Sequence, residues 1–228
     1  MMVETQLLIK IYGSKERATH SAEILIENEL KELEAAAEVS TSKDDWLTLK
    51  IEGEDAEFAS NFLVQKYGAP TTRTKNGSVH KGFIHKIEED RIEVDIGMLV
   101  TIPKSDLNFF GAGNAQQIAS RFGMIRYLPV EIEMSDAGEL KARFTKKQAD
   151  AFWELKKSKL DHVVANSVTK SELKAAIKKT KHGKDIYGIE RLGLMEHMIT
   201  CREGTDGPGI VAAIGKYLNG DLAVIKAN

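Results

Sequence analysis

Four lysines, Lys170, Lys174, Lys178 and Lys181, recur at a spacing that lines them along one stripe of a helix. Only Lys181 has a carboxylate four residues away, Asp185, and that lies beyond the expected helix stop at Gly183. Unpaired ammonium groups in a row repel one another, and a phosphate backbone relieves that repulsion without reading sequence. A second set, His80, Lys81, Phe83 and His85, falls in a strand-like run and combines cations with a ring that a base can stack on. A third, Thr205, Asp206, Gly207 and Gly209, forms a Gly-rich loop before an apolar helix, the setting in which backbone N–H groups hold an anion. Asp206 opposes an anion there, so the plainer expectation is a well-capped helix. Asp185, Glu190, Arg191, Glu196 and His197 have the residue types of an acid/base set, but their spacing favours internal ion pairing. His182 and His197 lack the spacing of a helical metal pair. No catalytic residue, metal or cofactor is therefore expected.

The rest of the composition bounds the class. At 228 residues, 42% of them hydrophobic, the chain suits two or three small domains with proper cores. The single cysteine, Cys201, excludes an intramolecular disulfide and a multi-Cys zinc site, and fits a reducing cytosol. No apolar run approaches the roughly 20 residues needed to span a bilayer, and the N-terminal residues lack a basic n-region. The expected location is cytoplasmic, with no membrane partner. The net charge of −2 hides an asymmetry. Residues 1–70 hold 7 Lys and Arg against 14 Asp and Glu, whereas residues 141–184 hold 13 against 4. The acidic part suits a docking face for a protein partner, and the basic part suits a polyanion.

Periodicity places these sets on elements. Residues 3–12 predict a strand, residues 14–36 a helix with Ser14 as N-cap, residues 46–51 a strand and residues 56–67 a second helix. This is an acidic βαβα unit over residues 1–70. Residues 79–87 and 91–96 predict a hairpin that continues through Val100 and Ile102 to Pro103. A short helix over residues 114–121 and an alternating strand over residues 128–134 follow. Residues 71–140 then read as a five-stranded barrel, with four strands identified. Thr145-Lys146-Lys147-Gln148 and Thr169-Lys170-Ser171-Glu172 predict capped helices to about residues 159 and 182. Pro208 suits the first turn of a last helix to residue 218, before a strand over residues 222–225. The fold class is α+β and modular, with a C-terminal α/β unit over residues 141–228.

The order Gly77-Ser78-Val79, Gly82-Phe83-Ile84, Val94-Asp95-Ile96-Gly97 and Ile102-Pro103-Lys104-Ser105-Asp106-Leu107 resembles the OB-fold RNA-binding repeat of ribosomal protein S-one. That resemblance implies an OB-like barrel and RNA or the ribosome as partner. The return strand departs from it, presenting Glu93 and Asp95 where stacking aromatics are wanted. Residues 205–218 resemble the first loop and helix of ligand-binding ACT domains. Arg121-Phe122-Gly123, Asn166-Ser167-Val168-Thr169, Glu190-Arg191-Leu192-Gly193-Leu194 and Thr205-Asp206-Gly207-Pro208-Gly209 together resemble an archaeal family of unknown function, which implies no activity. The expected function is non-catalytic RNA binding, associated with translation. The alternatives are an adaptor in a larger assembly and a small-ligand sensor built on the 205–209 loop.

Overall fold

Val3, Thr5 and Leu7 alternate with Glu4 and Gln6, and this stretch opens β1 (Met2–Lys10). In the computed structural model, which describes residues 2–227, the chain divides into two compact units between Thr72 and Arg73. The first continues with α1 (Lys15–Leu30), which buries Ala18, Ala22, Ile26 and Leu30 at helical spacing. Ser14 is its N-cap residue, without a side-chain hydrogen bond. The helix stops short of residue 36 because the chain from Ala35 pairs as a strand, β2 (Ala35–Thr41). β3 (Trp46–Gly53) lies between β1 and β2, antiparallel to both, and α2 (Ala56–Tyr67) ends the unit. The expected βαβα order is thus corrected to βαββα. The three alanines of β2 favour helix, and its pairing with β3 from Ala35↔Gly53 to Thr41↔Leu47 overrides them.

The second unit begins with a closed five-stranded barrel. Its strands are β4 (Val79–Ile87), β5 (Arg91–Asp95), β6 (Leu99–Pro103), β7 (Pro129–Asp136) and β8 (Lys141–Phe144). They close in the order β4-β5-β6-β8-β7, with β6 and β8 parallel and the other pairs antiparallel. The expected boundary at residue 140 cuts this barrel, since β8 is its fifth strand. Ile84, Ile92, Val94, Ile102, Ile132 and Phe144 fill the interior. At Gly82 the neighbouring strand comes so close that a Cβ would lie 2.6 Å from the Asp95 carbonyl oxygen. Between β6 and β7 run a 3-10 turn and α3 (Ala115–Arg121), whose cap Asn114 accepts from the Gln117 N–H at 2.9 Å. Phe110, on that connection, packs on Phe122, Phe144 and Phe152 with ring centroids 4.8, 5.9 and 6.0 Å away.

After α4 (Lys146–Lys157) the chain forms β9 (His162–Asn166), α5 (Lys170–Lys179), β10 (Ile186–Arg191), β11 (His197–Cys201), α6 (Gly207–Ile214) and β12 (Asp221–Ile225). This is a split βαβ arrangement, an antiparallel sheet in the order β10-β11-β9-β12. Val163, Ala165, Ile199 and Cys201 on one face pack with Leu173 and Ile177 of α5 and Ile210 and Ile214 of α6. From the other face Val164 and Ile225 join the barrel core. Barrel and sheet share this core and fall in the same compact unit. Among the described residues no helix is long and apolar enough to cross a membrane.

Candidate nucleic-acid interface

The lysine stripe is assembled by α5. Thr169 caps the helix, its Oγ1 accepting from the Glu172 N–H at 3.1 Å while the Glu172 carboxylate accepts from the Thr169 N–H at 2.8 Å. Leu173, Ala176 and Ile177 are buried against the sheet, which turns Lys174 and Lys178 to solvent. Lys170, Lys174 and Lys178 border a groove of about 530 Å³ between α5 and the edge strand β10. Its floor is Ile177, Ile186 and Ile189, and Gly188 leaves the β10 side open. None of the three lysines takes part in an ion pair among the described residues. Lys170 also sits in the first turn, where the helix dipole disfavours a cation and a bound anion would offset that cost. Lys181 departs from the expected stripe: it lies past the helix end with φ 61° and does not line the groove. Asp185, the one carboxylate four residues from the stripe, contacts His182 Nδ1 at 2.8 Å.

The barrel set is not brought together in the same way. Phe83 is 6% exposed, so its ring is not available for a base to stack on. His80 is half-buried, its Nε2 is hydrogen-bonded with Ser78 Oγ at 2.7 Å, and its pKa is lowered by burial, which favours the neutral ring. His85 is the extra residue of a β-bulge, where the register steps from Ile84↔Val94 to Lys86↔Glu93. Only Lys81 is fully exposed, beside a shallow pocket that Lys147 and Glu131 also line. The return strand is acidic and internally paired: Glu93 accepts from Arg91 Nε at 3.1 Å, and Asp95 accepts from the Gly97 N–H at 2.9 Å.

The 205–209 loop uses its own donors. Asp206 caps α6 by accepting from the Gly209 N–H at 2.9 Å, and Asp161 accepts from the Gly207 N–H at 2.8 Å. Thr205 Oγ1 donates to the Asp185 carbonyl at 3.3 Å. Two carboxylates already take the backbone N–H groups that an anion would use, which disfavours an anion there.

Two polar residues buried in the C-terminal sheet, His162 and Asn166, escaped the sequence reading. His162 and Asn166 end β9, a strand buried along its whole length and flanked by no alternation that would announce it. Glu196 accepts from the Met195 N–H at 3.2 Å. His197 is fully buried, and neither ring nitrogen has a hydrogen-bond partner among the described residues. Its pKa is pushed down to about 4, first by burial and then by Arg191 and Lys170, with only the Met195 backbone acting the other way. Burial pushes the Cys201 thiol up to about 11, and Asp161, Asp185 and Asp206 add to the shift. No group of three or more His, Cys, Asp or Glu suited to a metal ion occurs among the described residues.

Three family models match the chain in order: the DUF2110 N-terminal domain over residues 4–73, the DUF2110 central domain over residues 74–156 and the DUF2110 C-terminal domain over residues 160–226. The central match covers the whole barrel together with α4, and the C-terminal match covers the four-stranded sheet. A search of the curated proteins finds no match.

Proposed function

We propose that this chain, which belongs to the DUF2110 family, is a non-catalytic RNA-binding protein that works on RNA alone or within a ribosomal assembly. The observation that carries the reading is the unpaired row Lys170, Lys174 and Lys178 beside an open groove. Three ammonium groups without carboxylate partners suit consecutive phosphates, and their contacts release counterions from the strand. The barrel lends support through its topology: five strands with a parallel β6–β8 closure follow the order of an OB-like barrel. Its usual binding face is acidic here, so the barrel acts as the frame that carries the sheet. Photo-crosslinking of bound RNA followed by peptide mapping tests this. Adducts on residues 170–178 are expected, and adducts confined to β4–β6 would overturn it.

The apolar floor of Ile177, Ile186 and Ile189 favours a second reading, an acidic protein segment laid along the open edge of β10. In that case the chain is an adaptor. Native purification then yields a stoichiometric protein partner that survives ribonuclease treatment, and the crosslinked RNA peptide is absent.

A further inference from the structure

On the opposite face of the C-terminal sheet from α5, a cleft of about 540 Å³ opens between α4 and the strands. The volume is in the range of small-molecule sites. Phe152 and Leu155 of α4 form one wall, and Val164 and Met198 of the sheet form the other. A slot between a helix and a sheet, lined largely by apolar side chains, suits an aromatic ring. One polar side chain in the slot is buried and incompletely satisfied. His162 is 6% exposed; its Nδ1 lies 3.4 Å from Thr200 Oγ1, and its Nε2 has no partner among the described residues. An unpaired polar atom among apolar side chains is unfavourable, and a ligand atom that pairs with it removes that cost. Burial lowers the His162 pKa against the opposing pull of Asp161 and Glu190, so the ring is neutral near pH 7. A neutral imidazole beside a rotatable hydroxyl presents Nε2 as donor or acceptor according to its tautomer. The charges of the cleft narrow the ligand further. Glu154 and Glu190 line it and no Lys or Arg does, so an anionic ligand is disfavoured.

We propose that this cleft binds an uncharged heteroaromatic compound of nucleoside size, its ring held between α4 and the sheet and hydrogen-bonded to His162 Nε2. The site is separate from the lysine groove, and its occupancy does not depend on the RNA reading. The test uses the full chain with adenosine, guanosine, cytidine and uridine as probes, followed by saturation-transfer NMR and titration calorimetry. At least one nucleoside is expected to bind with a Kd below about 1 mM. H162F keeps the ring volume, loses the hydrogen bond and weakens that binding about tenfold. A151W fills the slot from an exposed position of α4 and abolishes binding, which keeps the test decisive if H162F fails to fold. Absence of binding by all four nucleosides, or undiminished binding by either folded variant, overturns the proposal.

Discussion

The barrel wall and helix α5 both carry several cations, and they dispose of them in opposite ways. On the barrel, Lys86 and Arg91 meet Glu88, Lys141 meets Glu139, and Arg143 meets Glu133 at 3.0 Å. Antiparallel pairing produces one of these contacts directly, since Arg143 stands opposite Glu133 in the β7–β8 register. On α5, the residues four apart are themselves lysines, so the helix offers Lys174 no carboxylate neighbour on its own face. Lys179, off that row, rests over the Tyr217 ring at 4.1 Å. The barrel therefore pairs much of its surface charge within itself, while α5 leaves three cations without a carboxylate partner among the described residues. Charge count alone would not distinguish the two regions; the partners do.

Changes to the two regions should separate stability from binding. Phe110→Ala removes the centre of the aromatic cluster and should cost about 3–5 kcal/mol in urea unfolding. RNA affinity of the folded fraction should stay near wild type, and a parallel loss of affinity would show that the barrel contributes contacts. The C-terminal sheet carries a pH dependence through His197. Its folded pKa of about 4 lies below the ordinary 6.5, so the unfolded chain binds the proton first. Stability from this group is complete above about pH 6.5 and falls as the pH drops toward 4, by roughly 2 kcal/mol between pH 7 and 5. His197→Phe should flatten that slope in chemical unfolding at the two pH values, and an unchanged slope would assign it elsewhere. Cys201 should resist a thiol reagent in the folded state and react only on unfolding, given its burial and raised pKa. The smallest effect belongs to the barrel surface. Arg143→Ala removes a solvent-exposed pair with Glu133 and should cost less than about 1 kcal/mol. A larger loss would mean that the paired charges hold the barrel together.

Much of this architecture was legible where local patterns and tertiary pairing agree. The alternation of Ile92, Val94 and Ile96 marks β5, and the Thr169–Glu172 capping box marks the start of α5. Five strands were not legible: β10 and β11 read only as apolar and polar residues without a clear period, and the other three each have their own reason. β2 is written in alanines, β8 is only four residues long, and β9 is buried along its length without a polar alternate. Missing β9 hid the sheet, and with it the cleft that contains His162. The lysine row could be read because helical spacing is local. The groove beside it could not, because its far wall comes from Ile186, Gly188 and Ile189 on a different element. Phe83 shows the converse error: ring chemistry was visible in the sequence, but its burial is decided by tertiary packing.

The central claim is that α5, and not the barrel face, meets the phosphates. Fluorescence anisotropy with a labelled single-stranded RNA, over a salt series beginning near 50 mM, tests it most directly. The variants to compare are K170E/K174E/K178E and K81E. The wild type should bind with a log–log salt slope of about −2 or steeper, from three phosphate contacts at roughly −0.7 each. The triple variant should lose on the order of a hundredfold in affinity and most of that slope, while K81E should stay within about threefold of wild type. Undetectable binding by the wild type, or a K81E loss that equals or exceeds that of the triple variant, would contradict the account.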